Sequence, residues 1–575
     1  MDAMKLHTRL PMLRLAAALT LAFATLTGRA AVPTEAPRAP VAPKLIIAIS
    51  VDQFSAGLFE QYRSHWSGGL RRLADQGIVF NSGYQSHAAT ETCPGHSTLL
   101  TGRHPSGTGI VANQWLDRSS GKGIYCVQDA EHPVPGRPGQ PRGPANLKVS
   151  TYGEWLKTAD PRSRVFGVSG KDRAVITMTG HQPDGAFWWD DERGFTTSVP
   201  AGTEETARLA PVADFNRQLF ARWHSKAPLW TPSDARCRAL QTTQHYGNLS
   251  LAHELPPPGG TPAPGTSFTL DKNPTVQQWF RASPGLDAIT LQLAESLLQR
   301  FGLGRGEAPD LLAISLSATD YVGHRYGNQG PEMCDQLAQL DARLGAFLDR
   351  VAALKVPTLL VLSADHGAVD AAERVDHHAI DAVRIDTRKL LGEVNASLRA
   401  QLGLDFMPFG GDAQQLYLSP IAGTGAARQR ILDAAVALLR QRPEVQAVFT
   451  REQVATSHPR PGTPVDELSL VERYAESYDA ERSGDLFVAL LPYASLGVPG
   501  HQGDSIAGHG SPWNYDRRVP IVFWWPGARG YEQTLPVETV DIAPTLARIS
   551  RIATPEVDGR CLNLDGDRGD SCTTP

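Results

Sequence analysis

The sequence predicts a doubly wound α/β fold, a mostly parallel sheet with helices on both faces and inserted cap segments. Three observations carry this. First, five apolar runs lack polar alternation: LIIAISV (45–51), RVFGVSG (164–170), LLAISLS (311–317), TLLVLSA (358–364) and PIVFWW (520–525). Continuous Val/Ile/Leu runs of this kind suit parallel strands covered on both faces. Second, Leu337, Leu340, Leu344, Phe347, Leu348 and Val351 fall three, four and seven apart between two of these runs and make one apolar helix face. Strand, helix and strand from 311 to 364 then read as a βαβ unit. Third, 575 residues with 41% hydrophobic and 20% charged side chains suffice for one large α/β domain with insertions. They exclude a disordered chain, a collagen and a small disulfide-stapled scaffold.

Residues 1–30 read as an export signal. Lys5, Arg9 and Arg14 precede an uncharged apolar run from Leu15 to Leu26, and Gly28, Ala30 and Ala31 follow. The run is shorter than the 20 or so residues that a membrane span needs. The expected location is therefore periplasmic or secreted, with no membrane anchor once the signal is cleaved. The net charge of -5 gives no reason to expect a nucleic-acid-binding module. Six cysteines without CxxC spacing allow up to three disulfides. Cys561 with Cys572, and Cys93 with Cys126, are two candidate pairs. The Pro/Gly-rich stretches 131–147 and 256–268 read as loops.

Open α/β sheets bind ligands beyond the carboxyl ends of their strands. Asp52 closes the first run, Asp320 and His324 follow LLAISLS, and Asp365 and His366 end TLLVLSA. Mixed Asp and His donors suit zinc or a similar borderline divalent ion, whereas an all-carboxylate set favours magnesium or calcium. The Asp-x-x-x-His spacing lets both side chains converge across one helical turn. The adjacent Asp365–His366 pair needs an irregular backbone, which Gly367 makes easy.

A nucleophile candidate lies in HAATETCPGHSTLLTGRHPSG. Pro94 suits the first turn of a helix running through His96 to Leu100, placing Thr92 at or near its N-cap, where an anion is favoured. A threonine hydroxyl attacks only once its proton is removed, and metal coordination supplies that activation. His96 reads as a structural neighbour of this turn.

Together these residues resemble the alkaline phosphatase superfamily, and most closely its periplasmic, phosphate-irrepressible branch with a threonine nucleophile. The resemblance runs from VDQF at 51 to TVDIAPTLARI at 539–549. ETCPGHSTLLTG is similar to the nucleophile segment and implies Thr92. GIVANQW implies that Asn113 supplies an amide to the phosphate, and AGHGSPWNYDRRVPIVF implies His509 as the last zinc ligand. One zinc would take Asp320, His324 and His509; the other would take Asp52, Asp365, His366 and the Thr92 oxygen. The implied organisation is a single catalytic domain over 31–575, with insertions around 183–300 and 376–500.

In SGKDRAVI, Lys171 and Arg173 follow the RVFGVSG run two residues apart. In the branch resembled, this pair contacts the nonbridging phosphate oxygens. A monoester dianion carries one more charge than a diester, so two cations favour the monoester. The expected activity is zinc-dependent hydrolysis of many phosphate monoesters through a phosphothreonine intermediate, with an alkaline optimum. A nucleotide pyrophosphatase/phosphodiesterase-type diesterase is the alternative within the superfamily. A sulfatase would need an oxidised Cys or Ser, and Cys93 followed by Pro94-Gly95 lacks that context. A zinc- or phosphate-binding module without turnover is the alternative outside enzymes. The tail NLDGDRGD imitates a calcium loop, but Arg568 stands where glycine is needed, so calcium is left without support. The oligomeric state is left open.

Overall fold

The computed structural model describes residues 42–258, 274–376, 380–412, 414–566 and 569–573. The export-signal reading, Arg568 and much of the 256–268 loop lie outside these residues. A ten-stranded sheet forms the centre. Its path runs Tyr531–Gln533, Ile78–Tyr84, Arg518–Trp524, Thr358–Ser363, Leu45–Val51, Asp310–Leu316, Val165–Ser169, Gly185–Asp190 and Gly194–Thr196, and Val537–Glu538 pairs with Ile78–Tyr84.

The five strands from Thr358–Ser363 to Gly185–Asp190 are parallel, as their uninterrupted apolar composition requires. Arg518–Trp524 departs from that expectation, pairing antiparallel with both neighbours. It too is buried almost throughout, so the apolar run there records burial on both faces rather than strand direction. The predicted helix is Pro331–Ala353, and all six residues of its apolar face are buried. Its flanking strands are separated in the sheet by Leu45–Val51, which pairs with both.

The parallel register places a row of serines near the carboxyl edge. Ser50 lies beside Ser315 and Ser363, and Ser315 lies beside Ser169. Two positions beyond that row stand Asp52, Asp365 and Lys171, so three functional candidates share one level of the sheet.

A smaller antiparallel sheet orders Phe409–Gly411, Gln415–Leu418, Leu486–Leu490 and Val445–Thr450 and packs with Thr387–Leu402 and Gly425–Leu439 around a separate apolar cluster. Three disulfides join Cys93 to Cys126, Cys237 to Cys334 and Cys561 to Cys572. The 131–147 stretch contains neither helix nor extended strand.

Candidate active site

Six of the candidate side chains meet beyond the carboxyl edge as two adjoining donor sets. In the first, Asp320 and His324 occupy one face of Ala318–Tyr326, and the loop before Asn514–Arg517 brings in His509. Asp320 Oδ1 lies 3.3 Å from His324 Nε2 and 3.3 Å from His509 Nε2, while the two imidazole nitrogens stand 3.1 Å apart. In the second, His366 Nε2 lies 3.5 Å from Asp52 Oδ1 and 3.3 Å from Asp365 Oδ2. His366 and His509 stack at 3.6 Å, which joins the sets.

The backbone fixes which nitrogen of each ring carries its proton. Nδ1 of His324 faces the carbonyl of Ala507 (2.9 Å), that of His509 faces Thr90 (2.8 Å), and that of His366 faces Gly367 (3.0 Å). A carbonyl can only accept, so each Nδ1 donates and each neutral ring presents a lone pair at Nε2. Two such lone pairs facing each other between His324 and His509 repel unless a cation stands between them.

Gln53 turns the chain directly after Asp52 with φ at 66°, a left-handed conformation that few non-glycine residues adopt. Its backbone N–H donates to Asp365 Oδ1 (3.2 Å). His96 is fully satisfied: Nδ1–H donates to the Thr92 carbonyl (2.9 Å) and faces Asp365 Oδ2 (3.0 Å), while Nε2 meets Ser315 Oγ (3.0 Å). It lies among Asp52 and Asp365 but orients a carboxylate rather than offering a lone pair of its own.

Thr92 opens the helix Thr92–Leu99 one residue inside its N-cap, which is Glu91. Glu91 does not cap the helix with its side chain; it accepts from the Asn113 backbone N–H (2.5 Å). The Cys93 N–H donates to Asn113 Oδ1 (2.8 Å), and the Cys126 N–H donates to the Asn113 carbonyl (3.0 Å). With its oxygens committed, Asn113 keeps its side-chain amide as a donor beside Thr92. The Cys93–Cys126 disulfide ties together the two segments that meet there. Glu91 carried no signal in the sequence, because its role depends on burial and on a residue far along the chain.

Lys171 is buried, with Nζ 2.6 Å from Asp52 Oδ2, 2.5 Å from Asp320 Oδ2 and 3.4 Å from Thr92 Oγ1. Arg173 donates to Thr92 Oγ1 (3.2 Å). Asp172 between them points elsewhere, accepting from Tyr125 Oη and Arg142 Nε (2.7 Å each).

The electrostatics favour added positive charge. Burial, and then the neighbouring Asp365 carboxylate, push the Asp52 carboxyl well above its usual range despite Lys171. Burial pushes His366 down to about 3, so the ring is a neutral base. His366 Nε2 is buried without a hydrogen bond, and the Asp52 and Asp365 carboxylates crowd against it with Lys171 as the nearby ammonium. Lone pairs gathered in this way are costly unless a cation takes them, and mixed carboxylate and imidazole donors suit zinc. The residues therefore fit a metal centre beside a hydroxyl.

A mostly parallel α/β sheet with a threonine hydroxyl, two cationic side chains and adjoining Asp/His donor sets at its carboxyl edge defines a phosphoryl-transfer hydrolase of alkaline-phosphatase-like fold. The family described as type I phosphodiesterase / nucleotide pyrophosphatase matches residues 46–492. Alkaline phosphatase PhoK from Sphingomonas sp is 39% identical over 544 residues, covering 92% of each chain. The crystal structure of alkaline phosphatase PafA superposes with a TM-score of 0.78 at 27% identity, over 92% of this chain and 98% of that one. A crystallised PafA variant (TM-score 0.75, 26% identity, the same coverage) is altered at a threonine, an asparagine, a lysine and an arginine. The intervals between threonine and asparagine, and between lysine and arginine, equal those from Thr92 to Asn113 and from Lys171 to Arg173. The chain belongs to the type I phosphodiesterase / nucleotide pyrophosphatase family, within the alkaline phosphatase superfamily.

Proposed function

We propose that the protein hydrolyses phosphate monoesters with a broad range of leaving groups, with Thr92 as the nucleophile and two zinc ions as cofactors. One observation carries this reading: six Asp and His side chains, among them the buried and unpartnered His366 Nε2, converge beside a single hydroxyl that Lys171 and Arg173 also reach. Asp320, His324 and His509 would hold one ion; Asp52, Asp365, His366 and the Thr92 oxygen would hold the other. When bound, the ions supply Lewis-acid stabilisation of the attacking and leaving oxygens and favour deprotonated hydroxyls at neutral pH and above.

The chain's own groups do the rest. The Thr92 hydroxyl gives up its proton to solvent, Oγ bonds to phosphorus as the ester P–O bond breaks, and the leaving oxygen takes a proton from water. Asn113, Lys171 and Arg173 bind the nonbridging oxygens and hold the phosphoryl group in line with Oγ. Water then cleaves the Thr92–phosphate bond and releases orthophosphate. The three disulfides support an oxidising location, periplasmic or secreted. Among the described residues, no helix is long and apolar enough to cross a membrane.

Two cations at the nonbridging oxygens favour the monoester over a diester of the kind named in the family description. The test is paired kinetics on phenyl phosphate and a bis-aryl diester, with metal analysis before and after chelation. Activity should vanish with EDTA and return with zinc. Lys171→Ala/Arg173→Ala should lose roughly a hundredfold more monoesterase than diesterase activity, from two charge-assisted contacts. Equal losses on both substrates would overturn the specificity argument.

A further inference from the structure

Gln53 stands between the two donor sets and touches both. It is completely buried, and no step of the reaction proposed above uses it. Its backbone N–H donates to Asp365 Oδ1 (3.2 Å), which also accepts from the His366 N–H (3.1 Å). Asp365 is thereby turned so that Oδ2 faces His366 Nε2 (3.3 Å). The side chain of Gln53 reaches the other set. An ionised carboxylate and a carbonyl only accept, so the amide nitrogen faces Asp320 and donates to its Oδ1 (3.2 Å) and to its backbone carbonyl (2.9 Å).

The side chain, rather than the turn, is what glutamine supplies at this position. Glycine adopts a φ of 66° without steric cost, so a residue with a Cβ here adds only what its side chain does. Gly323, immediately before His324, leaves room for the amide: a Cβ there would stand 2.7 Å from either terminal atom of Gln53. Asp320 is then gripped at both carboxylate oxygens, Oδ1 by Gln53 and Oδ2 by Lys171 (2.5 Å). The two grips differ in charge. Lys171 also meets Asp52 Oδ2 (2.6 Å), and its ammonium offsets the negative charge of both carboxylates. The Gln53 amide is neutral. It orients Asp320 Oδ1 toward His324 Nε2 and His509 Nε2 (3.3 Å each) and leaves the carboxylate charge for a cation.

We propose that Gln53 is a positioning residue for both halves of the metal centre, its side-chain amide setting the zinc affinity of Asp320, His324 and His509 and its backbone N–H tying that set to Asp365. This rests on the two-ion reading above and adds the group that aligns its two halves.

The test is zinc binding by the full-length protein, read by competition with a chelator and without substrate. The two ions of the wild type define two affinities. Gln53→Met keeps the length of the side chain without the donor. It should weaken one ion by roughly 10- to 100-fold, the scale for losing a hydrogen bond to a metal ligand, and leave the other within about twofold. Gly323→Ala should weaken the same ion by a different route. Its methyl group meets the ends of the Gln53 and Asn328 side chains, and alanine favours a helix, so the fold is kept while the amide is displaced. In His324→Ala, which disables the Asp320 set, adding Gln53→Met should change the remaining affinity less than about twofold, because both changes act on one ion. Equal weakening of both ions, or unchanged titrations in both single variants, would overturn the positioning role; two zinc ions in the wild type would then leave the phosphatase reading standing. A wild type that binds fewer than two would overturn both.

Discussion

Thr92 is the residue on which the proposed chemistry turns, and its surroundings separate two roles. Six other side chains would supply the nitrogen and carboxylate donors, so the hydroxyl contributes one ligand oxygen among seven groups but is the nucleophile of the proposed reaction. Thr92→Ala should therefore keep most of its bound zinc while kcat falls by roughly a thousandfold or more, the scale expected when a covalent nucleophile is lost. Thr92→Ser, which restores a hydroxyl, should recover activity. Metal content and steady-state rates on one preparation check this, and near-normal turnover by the alanine variant would remove the covalent mechanism. At this scale, spacing and residue type made Asp52, Asp320, His324, Asp365 and His366 legible, because each follows a strand run. Thr92, Asn113, Lys171, Arg173 and His509 were legible only by their likeness to a family. Glu91 was not legible, since a charged residue shows its use only when its burial and partners are known.

At the scale of elements, the site depends on how closely the Thr92–Leu99 helix approaches the Asp365 turn. A Cβ added at Gly95 would stand 1.9 Å from the Asp365 carbonyl oxygen, a contact no side chain tolerates. Gly95→Ala must push the helix and the turn apart, moving Thr92 relative to Asp365 and His366. Overpacking of this kind costs about 1–3 kcal/mol, and a displacement near 1 Å costs about a hundredfold in rate. The expected variant folds with a lowered Tm, binds zinc more weakly and loses kcat. Unchanged kcat and metal affinity would show that the contact is not needed. The apolar runs announced the parallel strands, yet Ile78–Tyr84 went unread because only its first three residues are apolar before NSG. The direction of Arg518–Trp524 was hidden for a different reason: burial on both faces leaves the same composition whichever way a strand runs.

Across the whole molecule, conditions that favour catalysis oppose one of the contacts that hold the chain together. His104 joins three distant segments: Nδ1 meets Glu476, Nε2 meets Glu538 at 2.8 Å, and its backbone N–H donates to Asp558 (2.8 Å). Burial alone would lower the imidazole, but Glu476 and then Glu538 reverse this and raise it well above its ordinary value. The folded protein therefore keeps this proton at pH values where the unfolded chain, titrating near 6.5, has released it. The stabilisation is complete below about pH 6.5 and is lost as pH rises through the folded value. Thermal unfolding measured from neutral to alkaline pH should show Tm falling, with a shallower slope in His104→Gln, which keeps a polar side chain without the proton. Parallel slopes in the two proteins would show that this histidine is not the group linking stability to pH. The hydroxyl chemistry proposed for Thr92 would gain from the same rise in pH, so the optimum for stability should lie below the optimum for turnover.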